Sequence, residues 1–265
     1  MSNTFSQPLG DPNGPASPYA QQMPPQGPPP SSGNGKIVLI VLAIVGGVMF
    51  VCCGILGALM YPAIGAAKQA AQRMNNAKMI SLGIHNYHSA FKQLPMTVSA
   101  NSEGEETIGW RVGLSPFVEG QSAWEATDST QSWDSDANVA LVDLIPLAFQ
   151  KIDAPRGETG IFAIVSENSM FLPTPLTTIR FRDVLDGLSN TAMAIELPNR
   201  SVLWNSNENM TPDEAYEAIT ELEPMQMAHL LMGDGAVKAV GADLDRELFD
   251  AMMSVNGREE LPFDF

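Results

Sequence analysis

Residues 37–61 read IVLIVLAIVGGVMFVCCGILGALMY, and the whole run from Ile37 to Ala67, 31 residues between Lys36 and Lys68, carries no charged side chain. A hydrocarbon core ~30 Å thick needs about 20 helical residues, and only a helix or a closed barrel satisfies its backbone polar groups in lipid. The run therefore predicts a transmembrane helix over 37–61. A secretory signal has an apolar region of about 7–15 residues behind a short basic leader. Here the leader holds one cation, Lys36, and no small-residue cleavage site stands out beyond the run. A retained anchor is the expectation.

Outward from the anchor toward the C-terminus, Ala77, Ile80, Ile84, Tyr87, Phe91 and Leu94 follow a 3,4,3,4,3 spacing. That spacing places them on one face of a helix, so the rod is expected to continue as an amphipathic segment over 62–94. Pro95 disfavours helix at Leu94 and gives a stop. Pro62 removes one backbone bond and predicts a bend. An uninterrupted helix over 37–94 would be a rod of roughly 85 Å at about 1.5 Å per residue.

In the other direction, residues 1–35 hold nine Pro and five Gly with few large apolar side chains. Such a composition cannot bury enough surface to offset chain entropy, and a disordered tail over 1–36 is expected. Its Pro clusters suit a spacer or a polyproline II ligand. The remaining 62–265 are long enough for one domain with a core.

The net charge of −16 arises beyond the anchor, because Asp11 and Lys36 cancel before it. An acidic domain is a poor nucleic-acid binder. Both cysteines, Cys52 and Cys53, lie in the apolar run, so the domain can form no internal disulfide.

Past Pro95 the pattern is of short elements. A strand is expected over Ile108–Leu114, a short helix over Ser115–Ala126, and a helix over Ala137–Leu144 capped by Asp136. Ile161–Val165 and Ala192–Glu196 read as strands. Asp234-Gly235 between apolar runs reads as a two-residue hairpin turn. Asp243–Val255 reads as a closing helix with Leu244, Leu248, Met252 and Val255 on one face.

Several residue groups invite a chemical reading. His85 and His88 stand at i and i+3, as two metal ligands on one helix face would, but a third ligand is missing nearby and a polar flank beside Tyr87 explains them as well. Asp134, Asp136 and Asn138 open like a calcium loop, yet Val139 and Ile145 stand where Gly and Glu belong. Asp183, Asp186 and Glu196 are calcium candidates, with turn chemistry at Asp186-Gly187 as the alternative. No nucleophile elbow or phosphate-binding loop is present, and no enzymatic activity and no other cofactor is expected.

Six ordered blocks carry a family resemblance: PAIGAAKQAAQR (62–73); NNAKMISLGIHNYH (75–88); GWRVGLSPFVE (109–119); WDS (133–135) through Phe149; FRDVLDGLSNT (181–191) with Glu196 and VLW (202–204); and DGAV (234–237). Over about 60–260 the chain resembles the planctomycete-type prepilin-like domain of unknown function 1559 family. The motif positions are Asn75, Asn76, His85, Asn86, Tyr87, His88, Trp110, Arg111, Asp183, Asp186, Gly187, Ser189, Asn190, Thr191, His229, Asp234 and Gly235.

This resemblance implies an α+β, type IV pilin-like fold: a long N-terminal helix, transmembrane in its first half, packed on an antiparallel β-sheet with short extra helices. It also implies a single-pass protein of the inner (cytoplasmic) membrane, its tail cytoplasmic and its domain periplasmic. The expected partners are the lipid bilayer and a homo-oligomer or a pilin-like, secretion-type envelope assembly. A tethered sensor or ligand-binding module signalling through the Pro-rich tail is the alternative.

Three departures accompany the resemblance. The segment GKIVLI (35–40) lacks the Phe and the Glu of a prepilin start. Met74 and Gln150-Lys151 stand where many members have cysteines. His229 and Asp234 are closer together than the usual signature, which predicts a shortened hairpin. Lys68, Arg73 and Lys78 after the span outnumber Lys36 before it, so the positive-inside rule points the other way from the resemblance.

Overall fold

The computed structural model describes residues 35–175 and 177–257; the side chains of 58–63 fall outside it, as do residues 1–34 of the tail expected over 1–36, whose last two residues begin the first helix, and any account of Pro62 as a bend. Helix α1 is Gly35–Phe91. The chain divides into two compact units at Ala58 and Leu59.

In the first unit, Gly35–Gly57 gives 23 residues long and apolar enough to cross a membrane, and none of that window is buried. A core helix of a soluble domain would bury a stripe. This one leaves Ile37, Leu39 and Phe50 all exposed, so among the described residues nothing covers its apolar side chains.

The second unit is built on a four-stranded antiparallel sheet. Two small hairpin-like pairs accompany it, β1 (Val98–Ala100) with β2 (Glu106–Gly109), and β3 (Glu158–Thr159) with a strand at Val202–Leu203. Between them lie the short helices α2 (Trp110–Leu114) and α3 (Gln121–Glu125). The sheet itself comprises β4 (Ile161–Ala163), β5 (Ala192–Glu196), β7 (Ala228–Met232) and β8 (Val237–Val240), in the order β4-β5-β7-β8, with Val202–Leu203 numbered β6. Helices α4 (Pro212–Thr220) and α5 (Arg246–Met253) complete the unit.

Both faces of this sheet are covered. On one, Ala77, Ile80 and Ile84 of α1 pack with Ile161, Ala194 and Leu231. On the other, Ala215 and Ile219 of α4 and Phe249 and Met252 of α5 pack with Phe162, Ile195 and Leu230. A strand buried on both sides has no polar face, which is why AMAIE and AHLLM are apolar almost throughout. A bulge between Ala192 and Ala194 breaks the alternation. Met193 and Ala194 consequently both join the α1 side, while Ala192 and Ile195 face α4 and α5.

Several local expectations are corrected. Helix α1 stops at Phe91 rather than Leu94, because Lys92 takes a left-handed conformation (φ 62°) and closes the last turn through its N–H to His88 O at 2.8 Å. The strand expected over 108–114 ends at Gly109 and turns into α2. Trp110, Arg111, Val112 and Leu114 are all buried, and an apolar run without alternation does not distinguish strand from helix.

Gly109 marks the switch, since a Cβ there would stand 3.0 Å from Ser206 O. Asp136 is not the cap of the following 3₁₀ segment, Val139–Leu144; its N-cap is Asn138, whose side chain instead bonds the backbone of Asp128, Gln131 and Ser132. Helix α4 was not anticipated, although Thr211 and Glu214 form a reciprocal capping box at its start.

Truncating the α1 stripe should open a cavity against the sheet. Ile84→Ala is expected to cost about 2–5 kcal/mol, lowering the urea midpoint of the full chain in detergent. Leu82→Ala, on the exposed face, should stay within about 0.5 kcal/mol.

Candidate functional site

Where α1 crosses β5 and β7 the interface turns from apolar to ionic. Register pairs Glu196 of β5 directly with His229 of β7, and both side chains emerge on the α1 face. His229 Nδ1 lies 2.7 Å from Glu196 Oε2, with the two residues only 2% and 4% exposed. Arg73 brings its Nη1 to 3.7 Å from Glu196 Oε1. Taken with Ala77, Ile80 and Ile84, Arg73 is simply the preceding member of the same helical stripe.

One turn earlier that stripe is occupied by Ala66 and Ala70, whose small side chains do not fill the space a Leu or Ile would. A cleft of about 190 Å³ opens there, lined by Gln69, Arg73, Lys151, Asp153 and Gln226 among others. Its wall is tied to α1 by Gln69 Nε2 donating to Asp153 Oδ1 at 3.1 Å and Asn76 Nδ2 donating to Gln150 O at 3.1 Å.

Lys151 Nζ donates to Arg200 O at 2.6 Å. Burial pushes the Lys151 ammonium below the usual lysine range, and Arg73 pushes the same way against the carboxylates of Glu196, Glu158 and Asp153. Arg73 Nη1 is buried and has no hydrogen-bond acceptor.

A second constellation gathers blocks far apart in sequence around Phe181. The rings of His85 and His88 sit 4.6 and 4.2 Å from that of Phe181, and His88 Nε2 accepts from Phe181 N at 3.4 Å. His85 also abuts the β7–β8 turn, its Nε2 lying 3.3 Å from where a Cβ on Gly235 would be.

That turn is a three-residue loop rather than the two-residue one expected. Gly235 N bonds Met232 O at 3.0 Å and Met232 N bonds Ala236 O at 2.9 Å, with Gly233 and Asp234 at the centre and Gly235 left-handed (φ 92°). The 181–191 block clasps it, as Asp234 N donates to Leu188 O and Gly233 N to Thr191 O.

The calcium candidates take different partners. Asp183 accepts from Arg180 N and pairs with Arg180 and Arg182. Asp186 Oδ2 accepts from Gly257 N at 2.6 Å, and Glu196 is engaged by His229. Gly187 supplies a left-handed turn (φ 92°), Asn190 Nδ2 donates to Asp186 O, and Thr191 Oγ1 donates to Gly187 O; Ser189 is exposed. Among the described residues no group of three or more His, Cys, Asp or Glu side chains is placed to hold a metal ion. His85 and His88 share Phe181, not His229.

Other motif positions are architectural. Trp110 Nε1 donates to Asn209 Oδ1, and Arg111, fully buried, donates to the carbonyls of Ile161, Ser206 and Glu208 at 2.9, 2.9 and 2.6 Å. Burial brings the Arg111 pKa down to about 9. Tyr87 packs on Phe117, its ring centroid at 5.5 Å, while Asn75 and Asn86 are exposed. Two residues absent from the motif positions, Arg73 and Lys151, line the cleft. The signal for Arg73 was its place four residues before Ala77 on the stripe; Lys151 carried none.

Residues 65–145 match the model of a family described as a protein of unknown function (DUF1559). The matched segment holds Arg73, His85, His88, Trp110 and Arg111, and the resemblance read from the sequence is shown there. No curated protein and no solved structure matches the chain.

Two measurements follow. His229→Ala leaves the buried Glu196 carboxylate without its hydrogen-bonded partner, and should cost about 3–5 kcal/mol in urea unfolding, with His229→Ala/Glu196→Gln recovering part of the loss. Burial, then His85 and Lys92, hold the His88 pKa below the usual histidine value. Below about pH 6.5 the unfolded chain therefore binds the proton more readily. That contribution to stability is complete above this pH and lost as pH falls through the window below it, and His88→Gln should flatten the acid limb of a Tm-versus-pH curve.

Proposed function

We propose that this chain is a single-pass, membrane-anchored, pilin-like protein of the cell envelope with a structural or interaction role rather than a catalytic one. The observation that carries this reading is α1 itself: uncovered and apolar over Gly35–Gly57, then stripe-buried against the sheet from Ala77 onward. The partners are the bilayer and further copies or related envelope subunits. Its domain stands on the periplasmic side of the inner membrane and its tail on the cytoplasmic side.

Lys68, Arg73 and Lys78 belong to a helix, and Arg73 is engaged by Glu196. They therefore weigh less in the positive-inside count than cations in short loops. The cleft beside Arg73 supports a second reading, a tethered ligand-binding module.

In native membranes the full chain should resist carbonate extraction and cross-link into oligomers, and its domain should be cut by protease added to spheroplasts. Release by carbonate would overturn the anchor, and a protein monomeric at every cross-linker concentration would overturn the assembly role.

A further inference from the structure

The cleft beside the Glu196–His229 pair holds two cations whose donors the fold leaves largely unused. Arg73 has a guanidinium with five N–H donors, yet its protein contact is the ion pair to Glu196 at 3.7 Å, beyond hydrogen-bond range. Its Nη1 is buried without an acceptor. Lys151 has three donors and gives one to Arg200 O.

Each carboxylate nearby has one oxygen engaged by another residue. Glu196 Oε2 is taken by His229 Nδ1, Asp153 Oδ1 by Gln69, and Glu158 Oε2 by Ser201. Arg73 and Lys151 thus line one cleft together with Asp153. Glu196, Glu158 and Asp153 offset their charge, so what the cleft leaves unmet is hydrogen bonding: the donors of Arg73 and Lys151 suit a ligand with several acceptor oxygens.

Shape points the same way. The alanines at 66 and 70 make room that larger stripe residues would close, and about 190 Å³ accommodates a tetrahedral oxyanion with several waters. Gln226 also lines the cleft, its Oε1 accepting from Glu223 N at 3.3 Å, so its amide NH₂ is a further donor. Arg and Lys together match an oxyanion bearing three or more acceptor oxygens better than a single carboxylate does, since the planar fork takes two and the ammonium a third.

We propose that the cleft between Ala66–Arg73 of α1 and the Lys151–Asp153 segment is a binding site for a phosphate group, held by Arg73 and Lys151. The phosphate comes either from a lipid headgroup or from a free phosphate or phosphomonoester; the recognising chemistry is the same. This assignment does not depend on the assembly role, and holds whether or not the chain oligomerises.

The test is titration of inorganic phosphate into the full chain in dodecyl maltoside micelles, which contain no phosphate, followed by calorimetry. One saturable site per chain is expected. Lys151→Met should weaken it at least tenfold and Arg73→Gln at least as much, while Lys78→Met, on the exposed side of α1, should leave it unchanged.

A thermal melt identifies any variant that fails to fold; should Arg73→Gln do so, Lys151→Met carries the test, because Lys151 gives only one bond to the fold. Repeating the titration in micelles doped with phosphatidic acid separates the sources: loss of phosphate uptake assigns the site to a lipid headgroup, and unchanged uptake assigns it to a soluble phosphate. No saturable uptake in the phosphate-free micelles, or uptake equal in Lys151→Met, would overturn the proposal.

Discussion

Everything in the folded unit is organised by the seating of one helical stripe on one sheet. A helix returns the same face every three or four residues, and Ala77, Ile80 and Ile84 exploit that period to lay small and branched side chains across β4, β5 and β7. Because α4 and α5 claim the opposite face, the central strands β5 and β7 are dry on both sides. A dry sheet tolerates a polar side chain only if it is fully partnered.

That constraint explains the pairing of Glu196 with His229. Two titratable groups stand opposite one another at one end of the central strands β5 and β7, and neither is more than 4% exposed. Cross-strand register supplies each with the other, and the helix adds a cation from above. Pairs of this kind add little net stability over apolar substitutes, but they penalise register slips, since shifting either strand by one residue would strand a charge in the core. Arg111 uses a different solution, spreading its charge over three backbone carbonyls and thereby stitching β4 to the 206–208 segment.

The α+β class, the long helix and the strands at 161–165 and 192–196 were legible because they rest on periodicity and on runs of β-branched or apolar residues. Boundaries that depend on a single backbone angle were not, as Lys92 shows: nothing in its identity announces a left-handed residue. The hairpin turn was placed correctly but its type was not, because Gly233, Asp234 and Gly235 suit both a two- and a three-residue loop. The cleft escaped notice for a different reason. Its walls come from segments about 80 and 150 residues apart in sequence (Arg73, Lys151, Gln226), and only the folded sheet brings them within reach.

The β5–β7 pairing has one more consequence, and it concerns time. The α1 stripe is made early, whereas Leu231, which it packs against, is about 150 residues downstream of Ile84. At ~5–20 residues per second of synthesis, roughly 7–30 s separate the two. Throughout that interval Ala77, Ile80 and Ile84 have no sheet to lie on, so the nascent polypeptide presents a sticky ridge that a chaperone or the bilayer surface must shield until the final strands emerge.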